Sequence, residues 1–582
     1  MKLCSIQFGI LSTLCFFFFA CQTSKENTVK KNGIVNTINK PNILWLVTED
    51  MGAYIPPFGD NTVKTPNLTR LAKEGVIYPN LYSTSGVCAP SRAAIATGMY
   101  PSSIGANHMR TTSNTEATGL PKYEAVPPAQ VKMISELMRV NGYYCTNNYK
   151  TDYQFKAPVT AWDESSKYAH WRNRDKNQPF FAVFNFTETH ESGLFEPYGF
   201  RQVETRHYHA GDRTYEWKKN GLPDSKNRIP ESENPVHIPK DTKFDVPPYL
   251  VDNDITQRDM WKLYNNIAEM DKQVGAILKQ LEDDGLLENT IIFFYGDHGG
   301  PLPKEKRLIY DSGLNTPMIV RFPNKAKAGT KDDKLVSFVD FAPTLLSLIN
   351  QQPKTYMQGQ AFLGNYKKED RKYIHAAADR FDAERDVIRA VRDPQFKYIR
   401  NYMPQKGYYL PITYREKIPA MQELLRLRDA GNLNDIQMQW FRGEKPKEEL
   451  FDCKNDPYEL NNLANNLEYK DKLIELRKEM DTWLLNIKDD PTLPEDKLVE
   501  KLWKHQKTKP KTKAPKVAFV SNKAVITCET EGASIGYKTD AKSKRWSVYT
   551  KPIHVNENDV LLVKSHRIGY LSSITVKVKN QK

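Results

Sequence analysis

A cysteine followed closely by a proline and an arginine marks the part of this 582-residue chain with the most chemical content, Cys88-Ala89-Pro90-Ser91-Arg92-Ala93-Ala94-Ile95-Ala96-Thr97-Gly98. Arg92 lies about one helical turn after Cys88, so in a helix that begins there its guanidinium can point back at residue 88. A nucleophile needs its developing charge stabilised, and a nearby cation, a helix N-terminus and a metal ion all do this. Oxygen donors of the kind that hard divalent cations take stand at two distant places, Glu49-Asp50 and Asp297, the latter followed by His298. An isolated lysine is ordinarily solvated and an isolated histidine ordinarily structural, so Lys150, Lys306 and His190 gain weight only beside Cys88.

The elements that must position these groups are legible as short apolar runs ending in polar residues. Residues 42–47 lead into Thr48-Glu49-Asp50, 180–186 into Thr187-Glu188-Thr189-His190, and 291–295 into Gly296-Asp297-His298-Gly299. Alternating with helical patterns, such runs predict an α/β sheet. In open α/β folds ligands gather at the carboxyl ends of strands, so the three termini are expected to converge on one site, although mere strand termination accounts for any one of them alone. Trp261, Tyr264, Ile267, Val274, Ile277, Leu278 and Leu281 form one helical face stopped by Gly285, and Val131, Ile134, Leu137 and Met138 form a second closed by Gly142. Both faces are expected in the core.

The run from Cys88 to Gly98, followed by Tyr100-Pro101, resembles the C-x-P-S-R signature of formylglycine-dependent sulfatases. A second stretch, from Glu449-Leu450-Phe451-Asp452 through Asp456-Pro457-Tyr458-Glu459 to Asn462-Leu463-Ala464, resembles the C-terminal motif of the same family. Two motifs in the right order extend the resemblance from about residue 41 to about 490, most like the bacterial polysaccharide and heparan N-sulfatase branch. The resemblance implies an alkaline-phosphatase-like α/β sandwich with a smaller C-terminal α/β subdomain. It further implies that a maturation enzyme oxidises Cys88 to an aldehyde whose hydrate carries two hydroxyls, one to attack sulfur and one to expel sulfate afterwards.

The remaining roles implied by the resemblance are a divalent metal, calcium first, held by Glu49, Asp50, Cys88, Asp297 and His298. Arg92, Lys150 and Lys306 offset charge, and His190 protonates the leaving alcohol. Two positions depart from the family pattern: Glu49 stands where Asp is commoner, and Asp152 where His is usual. His108 and Arg110, shortly after the nucleophile, are read from that proximity as substrate contacts. The expected activity is hydrolysis of sulfate esters on a sulfated polysaccharide or its oligosaccharides. A formylglycine-dependent phosphoester or phosphonate monoester hydrolase and a non-catalytic sulfated-glycan-binding lipoprotein are the rival readings.

Hydrophobic residues make up 39% and charged residues 26%, which excludes a disordered chain and a polytopic membrane protein. At roughly 150 residues per domain the length predicts two to four units. Residues 1–20 read as an export signal, with Phe18-Phe19-Ala20-Cys21 resembling a lipobox that would acylate Cys21. A polar tether then spans 21–40, the catalytic domain 41–365 and its C-terminal subdomain 366–500. A Lys/Pro linker follows at 501–515, and short β-rich runs at 516–582 predict a small β-sandwich resembling the one appended to bacterial hexosaminidases. Residues 501–582 hold 18 Lys+Arg against 5 Asp+Glu, which is either a footprint for an acidic glycan or a solvated surface.

These readings place the protein in the periplasm or on the outer membrane as a lipoprotein. Its expected partners are a sulfated glycan, the maturation enzyme and, through the anchor, a membrane, with no nucleic acid. The segment 191–258, with His207, His209 and His237, is the expected source of substrate selectivity. Cys145, Cys453 and Cys528 have neither zinc-site spacing nor disulfide density and are expected to be buried small residues.

Overall fold

The computed structural model describes residues 40–113, 115–199 and 235–580. The largest sheet contains β1 (Asn42–Thr48), β2 (Val76–Tyr82), β3 (Tyr144–Asn148), β4 (Glu164–Ser165), β5 (Phe180–Phe186), β6 (Thr290–Gly296), β7 (Asn315–Arg321), β8 (Thr330–Lys331) and β9 (Val336–Ser337). Their order is β4-β3-β5-β1-β6-β7-β2-β8, with β9 also on β2. β1, β5 and β6 are buried along their whole lengths, which is why they appear in the sequence as continuous apolar runs.

Alternate side chains of β1 serve two cores. Ile43, Trp45 and Val47 share one with the helices Phe341–Leu348 and Lys470–Ile487, whereas Leu44 and Leu46 share the other with the long helix Asp254–Asp283. The long helix starts where the Asn253 side chain accepts from the N–H groups of Ile255 and Thr256, and it ends just before Gly285, whose φ of 67° is left-handed. The second predicted helix begins only at Ile134 and closes before Gly142 at φ 89°. Val131 lies ahead of that helix but is buried all the same.

Parallel pairing sets the edge on which the chemistry gathers. Thr48 lies opposite Phe186 of β5 and Gly296 of β6, and Asn148 of β3 lies opposite Phe184. The carboxyl ends of β3, β5, β1 and β6 are therefore level neighbours, as the open-sheet argument requires.

A smaller antiparallel sheet follows, made of β10 (Ile374–Ala378), β11 (Ile388–Arg392), β12 (Phe396–Asn401) and β13 (Glu448–Asp452). The last unit is a two-sheet sandwich. β14 (Lys516–Val520), β15 (Lys523–Thr527) and β18 (Ile553–His554) form one layer; β16 (Ser534–Lys538), β17 (Ser547–Val548), β19 (Val560–His566) and β20 (Val576–Lys579) form the other. Ala524, Ile526, Val555, Leu561 and Val563 fill the space between them.

The stretch expected to be a linker is not an open tether. Its beginning belongs to the helix Glu495–Leu502, and Thr512 N–H donates to Leu571 O at 2.8 Å while Leu571 N–H donates to Pro510 O at 2.8 Å. Proline removes a donor but leaves its carbonyl to accept, so a Lys/Pro composition does not prevent pinning. Cys145 and Cys453 are buried as expected, whereas Cys528 is half-exposed. Among the described residues no helix is long and apolar enough to cross a membrane. The export signal, Cys21, His207 and His209 lie outside the described residues.

Candidate functional site

Cys88 is the first residue of the helix Cys88–Thr97, every residue of which is buried. Val87 ahead of it offers no side-chain cap, so the orphan N–H groups and the positive end of the helix face the surroundings of residue 88. Gly98 at φ 71° ends the helix in the left-handed conformation. Burial pushes the Cys88 thiol up to about 12, and its Sγ–H donates to Asp152 Oδ2 at 3.2 Å. As a cysteine, residue 88 is a neutral thiol and a poor nucleophile at neutral pH.

Arg92, one turn further on, anchors the helix to two strand ends. Its Nε donates to Asp297 Oδ2 at 3.0 Å and its Nη1 to Asn185 Oδ1 at 2.6 Å, while Nη2 lies 3.6 Å from Glu49 Oε1. The Asn185 amide in turn donates to Asn147 Oδ1 and Asn148 O, both at 3.1 Å. One polar residue inside the otherwise apolar β5 thus ties the nucleophile helix to the strand that delivers Lys150. A buried amide needs such partners, and its presence in FFAVFNF was a signal that the sequence reading passed over.

Lys150 and Lys306 flank the site from opposite sides. Lys150 Nζ rests against Glu49 Oε1 and lies 3.9 Å from Asp152 Oδ2. Lys306 Nζ donates to Asp50 Oδ2 at 2.6 Å and lies 3.1 Å from Glu191 Oε1. Burial works against the Lys306 ammonium, but Asp50 and Glu191 outweigh it and hold the pKa above the ordinary lysine range. Burial likewise pushes the Asp152 carboxyl up, yet Lys150 and Arg110 overcome it and hold the group below the usual carboxylate range.

Glu191 and Arg307 belong to this constellation, although the sequence did not mark them. Arg307 donates to both Glu191 oxygens at 2.7 and 2.8 Å, and Glu191 N–H donates to Asp50 Oδ2 at 2.7 Å. Each is adjacent in the chain to an expected site residue, His190 and Lys306. That adjacency was the available hint.

Asp50, Asp297 and His298 place their ligand atoms close enough together to hold one metal ion. His298 Nδ1–H donates to Gly299 O at 3.0 Å, because a carbonyl can only accept, and this leaves a lone pair on Nε2. That Nε2 lies 3.0 Å from Asp50 Oδ1, and neither atom has a hydrogen-bond partner among the described residues. With the ring neutral these are two buried acceptors facing one another, an arrangement that a cation between them would satisfy, so the donors fit a divalent ion. Glu49 is not in this group, since its carboxylate is turned to Lys150 and Arg92, and Cys88 is turned to Asp152. A further group, Asp311, Cys453 and Glu459, already contains a cation: Lys397 Nζ lies 2.6 Å from Asp311 Oδ1 and 2.7 Å from Glu459 Oε1. This knot joins the C-terminal motif to the segment that follows Lys306.

His190 Nε2 lies 4.0 Å from Asp50 Oδ2. Its Nδ1 accepts from Ser192 N–H at 3.2 Å, so in the neutral ring the proton resides on Nε2. Arg110 lies at the rim with its side chain 45% exposed, Nη1 3.8 Å from Asp152 Oδ1. His108 is turned away from Asp152: its Nδ1 accepts from Arg380 N–H at 3.2 Å and lies 3.8 Å from Glu495 Oε2. Of the expected substrate contacts, Arg110 is therefore brought to the mouth and His108 to the interface with the C-terminal subdomain. Arg110, Asp152 and Asp382, which lies 3.5 Å from Arg307, all have positive φ, at 60°, 51° and 52°.

The arrangement suits an anionic tetrahedral group seated over residue 88, close to two lysines, a helix N-terminus and the donors for a metal ion. Comparison with known proteins agrees with that chemistry. The sulfatase family model matches residues 41–170 and 147–351, and a model described as N-sulphoglucosamine sulphohydrolase, C-terminal, matches 296–439. An ulvan-active sulfatase of Formosa agariphila is 67% identical over 576 residues, covering 98% of this chain and 97% of the relative. Human N-sulphoglucosamine sulphohydrolase is 24% identical over 501 residues, 79% of this chain and 93% of its own. A solved structure of a protein in complex with its substrate D-glucosamine-2-N,6-O-disulfate has the same fold, with a TM-score of 0.52 at 21% identity over 79% of this chain and 100% of that one. Members of the family generally work through a formylglycine and a divalent metal. On the breadth of the family match and the likeness to the Formosa relative along nearly the whole chain, this protein belongs to the sulfatase family and is a sulfuric ester hydrolase.

Proposed function

We propose that the protein removes sulfate esters from an ulvan-type sulfated polysaccharide, using Cys88 matured to formylglycine and a calcium ion held by Asp50, Asp297 and His298. The observation that carries the reading is a buried residue 88 at an uncapped helix N-terminus, flanked by Lys150, Lys306 and orphaned metal donors. The substrate class is supported by the 67% identical relative, an ulvan-active sulfatase. When present, the formylglycine hydrate supplies both the attacking hydroxyl and the internal means of releasing sulfate, and the metal polarises a sulfate oxygen.

The chain's own groups do the rest. Lys150 and Lys306 hold sulfate oxygens, and Glu191 with Arg307 keeps Lys306 directed at Asp50. Arg92 ties the helix that begins at residue 88 to Asp297, one of the metal donors. His190, when doubly protonated with Nδ1–H donating to Ser192 Oγ, gives its Nε2 proton to the departing sugar oxygen and is left as the neutral ring. Arg110 at the rim contacts an anionic part of the glycan.

The deciding experiment measures sulfate release from ulvan oligosaccharides, heparin, chondroitin sulfate and an aryl phosphate. Release from ulvan alone supports the reading, whereas aryl phosphate turnover in preference to every sulfate ester would overturn it. We also propose that residues 1–20 export the chain and that Cys21 is acylated, holding it at the periplasmic side of a membrane. With the native leader, Cys21→Ala should then move the protein from the membrane fraction to the soluble one.

Two further outcomes follow from the geometry. His190→Ala is expected to lower kcat by roughly 100-fold or more on sugar sulfates, as removal of a general acid does. The loss should be far smaller on an aryl sulfate whose phenolate leaves without a proton; equal losses on both would refute the acid role. Chelation should lower Tm and calcium restore it, because an ion held only by the folded arrangement of Asp50, Asp297 and His298 stabilises the folded state; at about 100-fold excess over Kd the linkage is worth about 2.7 kcal/mol. In Asp50→Asn the calcium-dependent rise in Tm should vanish, and its persistence would place the ion elsewhere.

A further inference from the structure

The C-terminal sandwich lies outside both family-model matches, and its positive charge invites a reading as a separate grip on a polyanion. Its contacts point elsewhere. Ile568, 4% exposed, shares an apolar cluster with Tyr153 and Phe155, which follow Asp152, and with Ala93 and Ala96 of the nucleophile helix. The backbone next to it approaches just as closely. A Cβ on Gly569 would come within 2.3 Å of Ala125 O, and Ala125 N–H donates to Gln154 O at 2.9 Å. Gly569, at φ 82°, is therefore required by both space and conformation.

A second set of contacts reaches β3, the strand that leads into Lys150. Arg545 Nε of the sandwich donates to Asp163 Oδ1 at 2.6 Å, and Asp163 Oδ2 accepts from Cys145 N–H of β3 at 2.9 Å. Between the two lies the segment from Lys150 to Gln154, whose residues Asp152 and Gln154 have φ of 51° and 59°. Such angles cost a non-glycine residue free energy, which contacts with the surroundings must offset.

We propose that the C-terminal sandwich is a brace for the active-site segment 149–155, with Ile568 and Arg545 as positioning residues that set Lys150 and Asp152 over residue 88. The sandwich thereby contributes to turnover itself, and it does so without touching the glycan. The brace acts on the loop whatever the natural substrate is.

Hydrogen exchange on the full-length chain reads the loop directly. In Ile568→Ala and in Arg545→Ala, amides of 149–155 should exchange at least about tenfold faster, while those of β6 stay as protected as in the parent. Ile568→Val, which keeps most of the apolar contact, should restore protection. Arg545 has a side chain 40% exposed, so its variant carries the test if loss of Ile568 prevents folding. In sulfate release, kcat should fall with kcat/KM. Unchanged protection of 149–155 in both variants would overturn the proposal. So would a rise in KM for the polysaccharide at constant kcat, which is the signature of a glycan grip.

Discussion

Cys88→Ala is expected to reduce sulfate release by roughly four orders of magnitude or more, the scale on which enzymes lose a covalent nucleophile. The fold should survive, because the side chain is small and the helix is packed as well through Ala93, Ala94 and Ile95. Removing one buried heavy atom costs about 1 kcal/mol, a shift of only about one degree in Tm for a chain of this length. Mass spectrometry of the parent peptide containing residue 88, after production with a maturation enzyme, should show an aldehyde in place of the thiol. Burial pushes the thiol of an unconverted Cys88 up to about 12, and it lies against Asp152, which makes it a poor nucleophile at neutral pH. Sulfate release from a preparation that retains only the thiol, or from Cys88→Ala, would sink the mechanism.

Arg92→Met should be the most destabilising single substitution in the site. The methionine keeps much of the volume but leaves Asp297 Oδ2 without the guanidinium at 2.9–3.0 Å and Glu49 without the one at 3.6 Å. Breaking a buried pair from one side strands the other charge, at a cost of about 3–5 kcal/mol. Arg70→Met is the natural control, because Arg70 is 47% exposed in its pairs with Glu74 and Glu282 and should cost less than about 1 kcal/mol. Activity should fall with stability, since Asn185 loses the donor that ties β5 to the helix. Denaturant unfolding of the two variants side by side checks the contrast. Equal, small losses would mean that Arg92 is not an internal anchor.

The sequence by itself determined the nucleophile motif, the strands whose carboxyl ends carry Asp50, His190 and Asp297, the long amphipathic helix and most strands of the terminal sandwich. Each of these is local: a spacing of three or four residues, an apolar run ended by polar groups, or a helical face closed by glycine. The family resemblance added roles to those positions.

Only the tertiary structure decided which group faces which. Glu49 and Asp50 are neighbours in the chain just beyond β1, where Asp50 takes a left-handed φ of 46°, and one turns to Lys150 and Arg92 and the other to Lys306 and His298. Glu191 meets Arg307 across 116 residues, and Arg92 meets Asp297 across 205. Asp382 enters from the second sheet, and Ile568 comes from a unit that reads in sequence as the far side of a linker. Strand order and domain docking fix such pairings. A single sequence contains the residues of a long-range contact, but the energy that selects their partners comes from burying the surfaces between them.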